Sequence, residues 1–275
     1  MKMIRELRMG LPKSFKTGAT VGSYPKPMFV FSFDEEGLSV IPSKRVTLDS
    51  NQIKMDCCLE DIVWIKPEEV NTYCDKPESE QPKIVAIDFC DTKVRQLLCE
   101  LKPTGDTAPF AKVMTALNAL ITKNGSEART SLPWKTVVFD NLTAFGEFAQ
   151  LMVAGLNLEM AKDMRLLAPL VGGKVAQLVG VLTSLPTHVV VLAHTFLDKD
   201  EKAGVITELP IILSRYRDKV GAGFSQYLYA TKKLGRPILW TTDQMFVRGI
   251  GCRWPANLAA EIQPDFMSIY GKELI

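Results

Sequence analysis

Four stretches of this chain are too densely apolar to lie on a surface: MFVFSFD at 28–34, KIVAIDF at 83–89, WKTVVFD at 134–140 and THVVVLA at 187–193. Each is rich in β-branched or aromatic residues and reads as a buried strand. Helical patterns separate the later ones. Phe110, Val113, Met114, Leu117, Leu120 and Ile121 recur at helical spacing within 107–123, with Thr107 as N-cap. Residues 144–156 and 173–184 read as further helices. Strands separated by helices predict an α/β fold, a mostly parallel sheet with helices on both faces. A strand at 3–9 precedes the four, and a weak one is expected around 61–65. Short strands at 226–231, 237–242 and 245–247, joined by turns such as 233–236, predict an antiparallel C-terminal extension. The length of 275 residues suits a single domain, with a core over about 1–195 and a β extension and tail over about 196–275.

Charge and cysteine content narrow the function classes. The 33 basic and 31 acidic residues nearly cancel, so any hold on nucleic acid must come from local clusters. Cys57, Cys58, Cys74, Cys90, Cys99 and Cys252 form no C-x-x-C pair, and the chain has only two histidines, which argues against a structural zinc site. With no signal peptide in view, the cysteines read as reduced thiols of a cytoplasmic protein. Apolar runs such as 189–193 are too short to span a bilayer, so no membrane partner is expected.

Between the opening strand and a short helix at 16–23 lies Gly10-Leu-Pro-Lys13-Ser14-Phe15-Lys16-Thr17, followed by Gly18. A strand, a glycine-led loop ending in Lys-Thr and a helix form the context of a phosphate-binding loop. Backbone N–H groups of such a loop and of the helix start point at phosphates. The lysine brings a point charge to the terminal phosphates, and the threonine hydroxyl ligates Mg²⁺. One position departs from the pattern: the glycine expected before the lysine is Phe15, where the backbone bends tightly. Gly18, after Thr17, does not simply replace it.

Polar residues close several strands. Asp140 ends 134–140, where ligands bind in open α/β sheets, and is a candidate Mg²⁺ ligand; its alternative role is N-cap of the next helix. Asp34-Glu35-Glu36 closes the second strand. Glu36 is the preferred carboxylate to orient an attacking water, Glu35 the alternative, and a solvated acidic turn the plain reading. His194 follows 187–193 directly and reads either as a contact to a terminal phosphate or as a turn histidine, whereas His188 reads as structural.

Together GLPKSFKT, YPKPMFVFSFDEEG, WKTVVFDNLTAFGEF and THVVVLAHTF resemble the RecA-like P-loop ATPases, and among them phage-encoded ATP-binding proteins of single-strand annealing type. FVRGIGCRWPANLAAEIQPDF is similar to the basic stretch and proline-bounded tail of that group. The resemblance implies a P-loop NTPase fold, ATP and Mg²⁺ as cofactors, phosphate contacts from Lys16, Mg²⁺ held by Thr17 and Asp140, a γ-phosphate sensor at His194 and a water-activating Glu36. The rest of the loop (Gly10, Lys13, Ser14, Phe15 and Gly18) would line the nucleotide. In that family the segment after the sensor strand often contacts single-stranded DNA. Lys199 and Lys202 there are interspersed with acids and read as a solvated loop. Arg215, Arg217 and Lys219, with Tyr216 between them, suit phosphates and a stacked base better. Arg248 and Arg253 are candidate arginine fingers onto a neighbouring subunit of a homo-oligomer, or ordinary surface charges.

Three functions compete on this reading. One is a Mg²⁺-dependent ATPase coupled to single-stranded DNA in phage recombination or replication. The second is a nucleotide-binding scaffold or switch with little hydrolysis, favoured by Phe15. The third is a DNA-binding or assembly protein with a vestigial phosphate loop.

Overall fold

Alternation along the strands decides how this chain buries itself. The computed structural model describes residues 3–33, 37–44, 55–89, 108–123, 125–156, 163–200, 205–212, 216, 219–243, 247, 250–253 and 258–271. The chain runs through β1 (Arg5–Gly10), α1 (Lys16–Ser23), β2 (Met28–Ser32), β3 (Ile62–Trp64), α2 (Val70–Cys74), β4 (Ile84–Asp88) and α3 (Ala108–Ile121). A small hairpin, β5 (Thr122–Lys123) and β6 (Glu127–Ala128), precedes β7 (Thr136–Asp140), α4 (Leu142–Leu156) and α5 (Met164–Ser184). Then come β8 (His188–Asp200), β9 (Val205–Pro210), β10 (Gln226–Lys233), β11 (Arg236–Trp240), β12 (Gly251–Cys252), β13 (Glu261–Ile262) and α6 (Phe266–Tyr270).

The main sheet has the order β13-β11-β10-β1-β8-β7-β2-β4-β3. Every neighbouring pair from β10 to β3 is parallel. Leu7, Met9, Phe29, Phe31, Val137, Phe139, Val189 and Val191 point to the face covered by α3, α4 and α5. Met28, Val30, Val138, Val190, Leu192 and Leu228 point to the other, covered by α1 and α6. Both faces are therefore dry, as a parallel sheet requires. The fold is α/β with a mostly parallel sheet between helices.

Several expectations need correction. β10 is not part of an antiparallel extension: it pairs parallel with β1, and only β11, β12 and β13 run antiparallel. The link from β9 to β10 returns the chain to the amino-terminal edge, so β10 re-enters in the direction of β1. The segment after His194 is strand as far as Asp200, with Lys199 on it and Lys202 outside the described residues. β8 continues to Asp200 and folds back on β9, with Thr195 opposite Pro210 and Asp200 opposite Val205. Of the strand expected at 245–247, Val247 alone is described, in a single bridge to Glu208. Thr107 lies outside the described residues.

Helix α5 starts at Met164, nine residues before the expected position, and holds Pro169 in its second turn. Asp163 caps it, accepting the Arg165 N–H. Leu167, Val171, Val175, Leu178, Val179 and Leu182 bury one stripe on the sheet. At roughly 2 kcal/mol for each buried side chain, that stripe outweighs a proline cost of about 3 kcal/mol. By length and composition alone this helix could also cross a membrane, contrary to the expectation that no apolar segment is long enough. Its buried stripe makes it a core helix in this fold.

Two buried polar clusters fasten the sheet. Arg8 donates from Nε to Glu6 Oε1 at 2.7 Å, from Nη2 to the Tyr24 hydroxyl at 2.8 Å and from Nη1 to the Pro264 carbonyl at 3.1 Å. The Tyr24 and Tyr270 hydroxyls both donate to Glu6 Oε2. Burial opposes the Arg8 charge, but Glu6 beside it prevails and holds its pKa above the ordinary value. Burial, reinforced by Glu6, raises both tyrosines. This network ties α6 and α1 to β1. On the other face Glu208 accepts from Thr195 and from the Tyr229 hydroxyl, joining β9 to β8 and β10.

Removing one partner of the first cluster leaves a buried charge uncompensated. Arg8→Met is expected to cost about 3–5 kcal/mol in urea unfolding, and Glu6→Leu added to it to restore part of the loss. His188 gives a second test. Its Nδ1 accepts the Ile4 N–H at 3.1 Å, and burial, helped by Arg5, pushes its pKa down to about 4. The unfolded chain takes up this proton near pH 6.5. Between these values the unfolded state binds more protons, so stability falls as the pH falls, by about 3 kcal/mol in total. Urea unfolding across this range should show that loss in the native chain and a flatter dependence in His188→Asn.

Candidate phosphate-binding site

The crossovers from β1 and β8 leave in opposite directions. From β1 the chain passes through α1 to β2, and from β8 it passes by way of β9 to β10, beyond β1. The carboxyl edge between β1 and β8 is thus a topological switch point, where ligands bind in open α/β sheets. The 10–17 loop stands there.

Gly10 ends β1 with φ +154°, and a Cβ on it would lie 2.2 Å from the Ala230 carbonyl oxygen of β10. No other residue fits so close to a neighbouring backbone. Lys13 and Phe15 both adopt positive φ, 63° and 67°. The Ser14 N–H between them closes on the Leu11 carbonyl at 3.3 Å. α1 follows at once, and its first N–H groups have no intrahelical acceptor by construction. The backbone from Gly10 to Thr17 is therefore a tight turn running into a helix start, a candidate anion cradle.

Phe15 occupies the conformation that glycine would take, φ 67° and ψ 25°, as the residue before α1. Its ring turns onto the first turn of the helix. A Cβ at Gly18 would meet Phe15 Cε2 at 2.8 Å and Cζ at 2.9 Å, with Val40 Cγ2 3.1 Å away. Gly18 is thus the slot that receives the ring, a role the sequence reading did not give it.

Lys16 is nearly buried, and its ammonium donates to the carbonyls of Gly10 at 2.9 Å and Leu11 at 2.8 Å and to Ser14 Oγ at 3.2 Å. Thr17 Oγ1 donates to Asp140 Oδ2 at 2.6 Å. Lys13 stands exposed on the loop. The structure thus brings Lys16, Thr17, Asp140 and His194 together. Glu36 and its alternative Glu35 lie outside the described residues; the last described residue before them, Phe33, donates its N–H to the Asp140 carbonyl at 2.6 Å.

Asp140 is not the cap of the following helix. That role belongs to Asn141, whose Oδ1 accepts the Ala144 N–H at 2.9 Å. The cap leaves the Asp140 carboxylate to Thr17. It also fixes the Asn141 amide so that Nδ2 faces His194 Nε2 at 3.3 Å. His194 Nδ1 lies 3.4 Å from the Lys16 ammonium, so an anionic oxygen beside the pair would come within reach of both. Thr143 completes the support, its Oγ1 accepting the His194 N–H at 3.1 Å. Asn141 and Thr143 were missed in the sequence, although an Asn-x-Thr directly after an aspartate-ended strand was a readable signal.

The remaining candidates stand elsewhere. Lys219 lies with Tyr216, Arg165 and Pro169 along a groove of about 700 Å³ beside α5. Arg253 is held at the amino-terminal end of β10, its N–H on the Ser225 carbonyl and its Nη2 3.5 Å from the Ala222 carbonyl. It is on the edge opposite the cradle, so it cannot reach its own subunit's site. Arg215, Arg217 and Arg248 are outside the described residues.

The contact between Phe15 and Gly18 predicts a coupling. In the native chain Gly18→Ala drives a methyl into the ring and is destabilising. In a Phe15→Gly background the ring is gone and the same change costs less, the helix preference of alanine over glycine, about 1 kcal/mol, working against the remaining 3.1 Å contact with Val40. Urea unfolding of the four chains measures the coupling, expected at about 1–3 kcal/mol.

No protein-family model matches this sequence, and no curated protein shows significant similarity to it.

Proposed function

We propose that this chain is a P-loop ATP-binding protein of RecA-like architecture, which hydrolyses ATP with Mg²⁺ in a cycle linked to single-stranded DNA, as in phage recombination or replication. The observation that carries the reading is the 2.6 Å contact from Thr17 Oγ1 to Asp140 Oδ2 at the mouth of the 10–17 loop. Two hard oxygen donors beside an anion cradle fit Mg²⁺, which binds through one or two protein oxygens and keeps its remaining coordination for phosphate and water. Thr17 and Asp140 would hold the ion, which would neutralise charge building on the terminal phosphates.

The chain's own residues supply the rest. Backbone N–H groups of the loop and the start of α1 take the phosphate oxygens. Lys16 exchanges its three loop oxygens for the terminal phosphate, and the His194 ring beside it meets the same group. Glu36 orients the water for in-line attack. Because Asn141 and Thr143 hold the ring and backbone of His194, loss of the phosphate is felt where β8 leaves the parallel sheet. A switch with little turnover is the second reading. Phe15 favours it, since a ring packed on Gly18 limits how far the loop can move when Lys16 changes partners.

A fluorescent ATP analogue titrated with Mg²⁺, and phosphate release measured with and without single-stranded DNA, test the proposal. Lys16→Ala is expected to weaken nucleotide binding by about 10- to 100-fold, the worth of one or two charge-assisted hydrogen bonds. Asp140→Asn should lower phosphate release more than binding. A native chain that binds no nucleotide in the presence of Mg²⁺ ends the reading, and one that binds without phosphate release leaves the switch.

A further inference from the structure

β10 runs past the end of its neighbour. Met9 of β1 stands opposite Tyr229, so Ala230 is level with Gly10, and Thr231, Lys232 and Lys233 project beyond the edge that holds the cradle. At about 3.3 Å per residue the tip reaches roughly 10 Å past it. There β10 turns into β11 through two residues, Leu234 and Gly235, with Lys233 paired to Arg236.

This tip breaks three local rules at once. Leu234 has φ +50° and Gly235 φ +80°, the signature of a type I′ turn, whose first central position favours asparagine or aspartate. Leucine is poorly suited to it. Leu234 is also 97% exposed, the most exposed large apolar side chain among the described residues. The closing cross-strand pair sets Lys233 opposite Arg236, like charges where opposite ones stabilise. Glu261 meets Lys233 at 2.6 Å, leaving Lys232 and Arg236 as added positive charge on exposed positions. When a backbone outlier, an exposed apolar side chain and a like-charge pair coincide, the folded state is not what selects them.

We propose that the β10–β11 tip is a contact surface for single-stranded nucleic acid, with Leu234 at its apex packing on base faces and Lys232 and Arg236, on opposite faces of the hairpin, flanking it on the backbone phosphates. Single strands fit the chemistry best. Their bases present apolar faces without the cost of unstacking a duplex, beside phosphates at a spacing that flexible cations can follow. A lipid surface fits less well, because one leucine buries too little apolar area to anchor a hairpin. The inference rests on the single-stranded DNA part of the proposed function and is independent of its nucleotide part.

The full chain, titrated by anisotropy into fluorescein-labelled oligo-dT over a salt series, tests it. Leu234→Asn supplies the residue the turn prefers. It is expected to melt no lower than the native chain yet bind oligo-dT about tenfold more weakly, at an unchanged salt slope. Lys232→Ala with Arg236→Ala should reduce the slope of log K against log salt by about 1.4, two single-strand phosphate contacts. In both variants binding of the fluorescent ATP analogue stays as in the native chain. Native affinity for oligo-dT in both variants overturns the inference and leaves the proposed function standing. Weakened binding accompanied by a lower melting temperature and lost nucleotide affinity overturns it as a folding effect. A native chain that binds phosphatidylserine vesicles but not oligo-dT overturns both the inference and the DNA part of the function.

Discussion

The insertion of β8 between β1 and β7 is the constraint on which the site depends, because it fixes parity as well as neighbourhood. In a strand, side chains two apart share a face. Val138 lies on the face covered by α1, so Asp140 does too; Val190 and Leu192 lie there, and so does His194. α1 begins at Lys16, on the same face. Four functional candidates from three segments distant in sequence thereby converge without any long loop to bring them. A slip of one residue in β7 would offer Phe139 to Thr17 instead of Asp140. The pairing of Val138 with Val190 and of Val30 with Val138, all fully buried, makes such a slip costly.

The loop itself is less relaxed than the sheet beneath it. Two non-glycine residues at positive φ, Lys13 and Phe15, cost on the order of 1–3 kcal/mol each. For Phe15 the cost is offset locally, by the packing of its ring on Gly18. The usual arrangement is in effect transposed: the position that needs glycine's backbone carries a ring, and the position that needs glycine's small size lies three residues later, one helical turn on. Lys13 has no such offset among the contacts described and stands in solvent.

Much of this was legible in the sequence, and the failures have identifiable causes. The loop, its flanking strand and helix, and the strand ending in Asp140 could be read because each rests on local signals: a continuous apolar run, a glycine, a Lys-Thr pair. Three features rest on partners far away. The start of α5 was hidden by Pro169 and the glycine pair at 172–173, which disfavour helix locally, while the burial that overrides them is tertiary. The β8–β9 arm looked like a mixed-charge loop because Asp198, Lys199 and Asp200 carry no apolar run, and their strand is set by pairing with a segment outside the core sheet. The direction of β10 is set by a crossover whose path no short window records. Phe15 was read as a defect since Gly18 has no meaning as a slot until the ring is seen in it.

The polar contacts at the site separate by how far their partners lie in the chain, and this bears on which can move. Three contacts of the Lys16 ammonium, to Gly10, Leu11 and Ser14, lie within six residues of it, and a fourth crosses to His194 Nδ1 at 3.4 Å. On the proposed reading, exchanging the three loop bonds for a phosphate rearranges one loop and leaves every strand pairing intact. The Thr17–Asp140 and Asn141–His194 contacts instead join segments separated by 123 and 53 positions, each on a strand end or helix start fixed by the core. The buried Glu6–Arg8–Tyr24–Tyr270 cluster reinforces this on the same face, fastening β1 and α1 to α6 directly below the cradle. On the proposed reading, ligand-dependent change therefore begins at the lysine and the loop and passes to the frame at His194, whose Nδ1 lies 3.4 Å from the Lys16 ammonium.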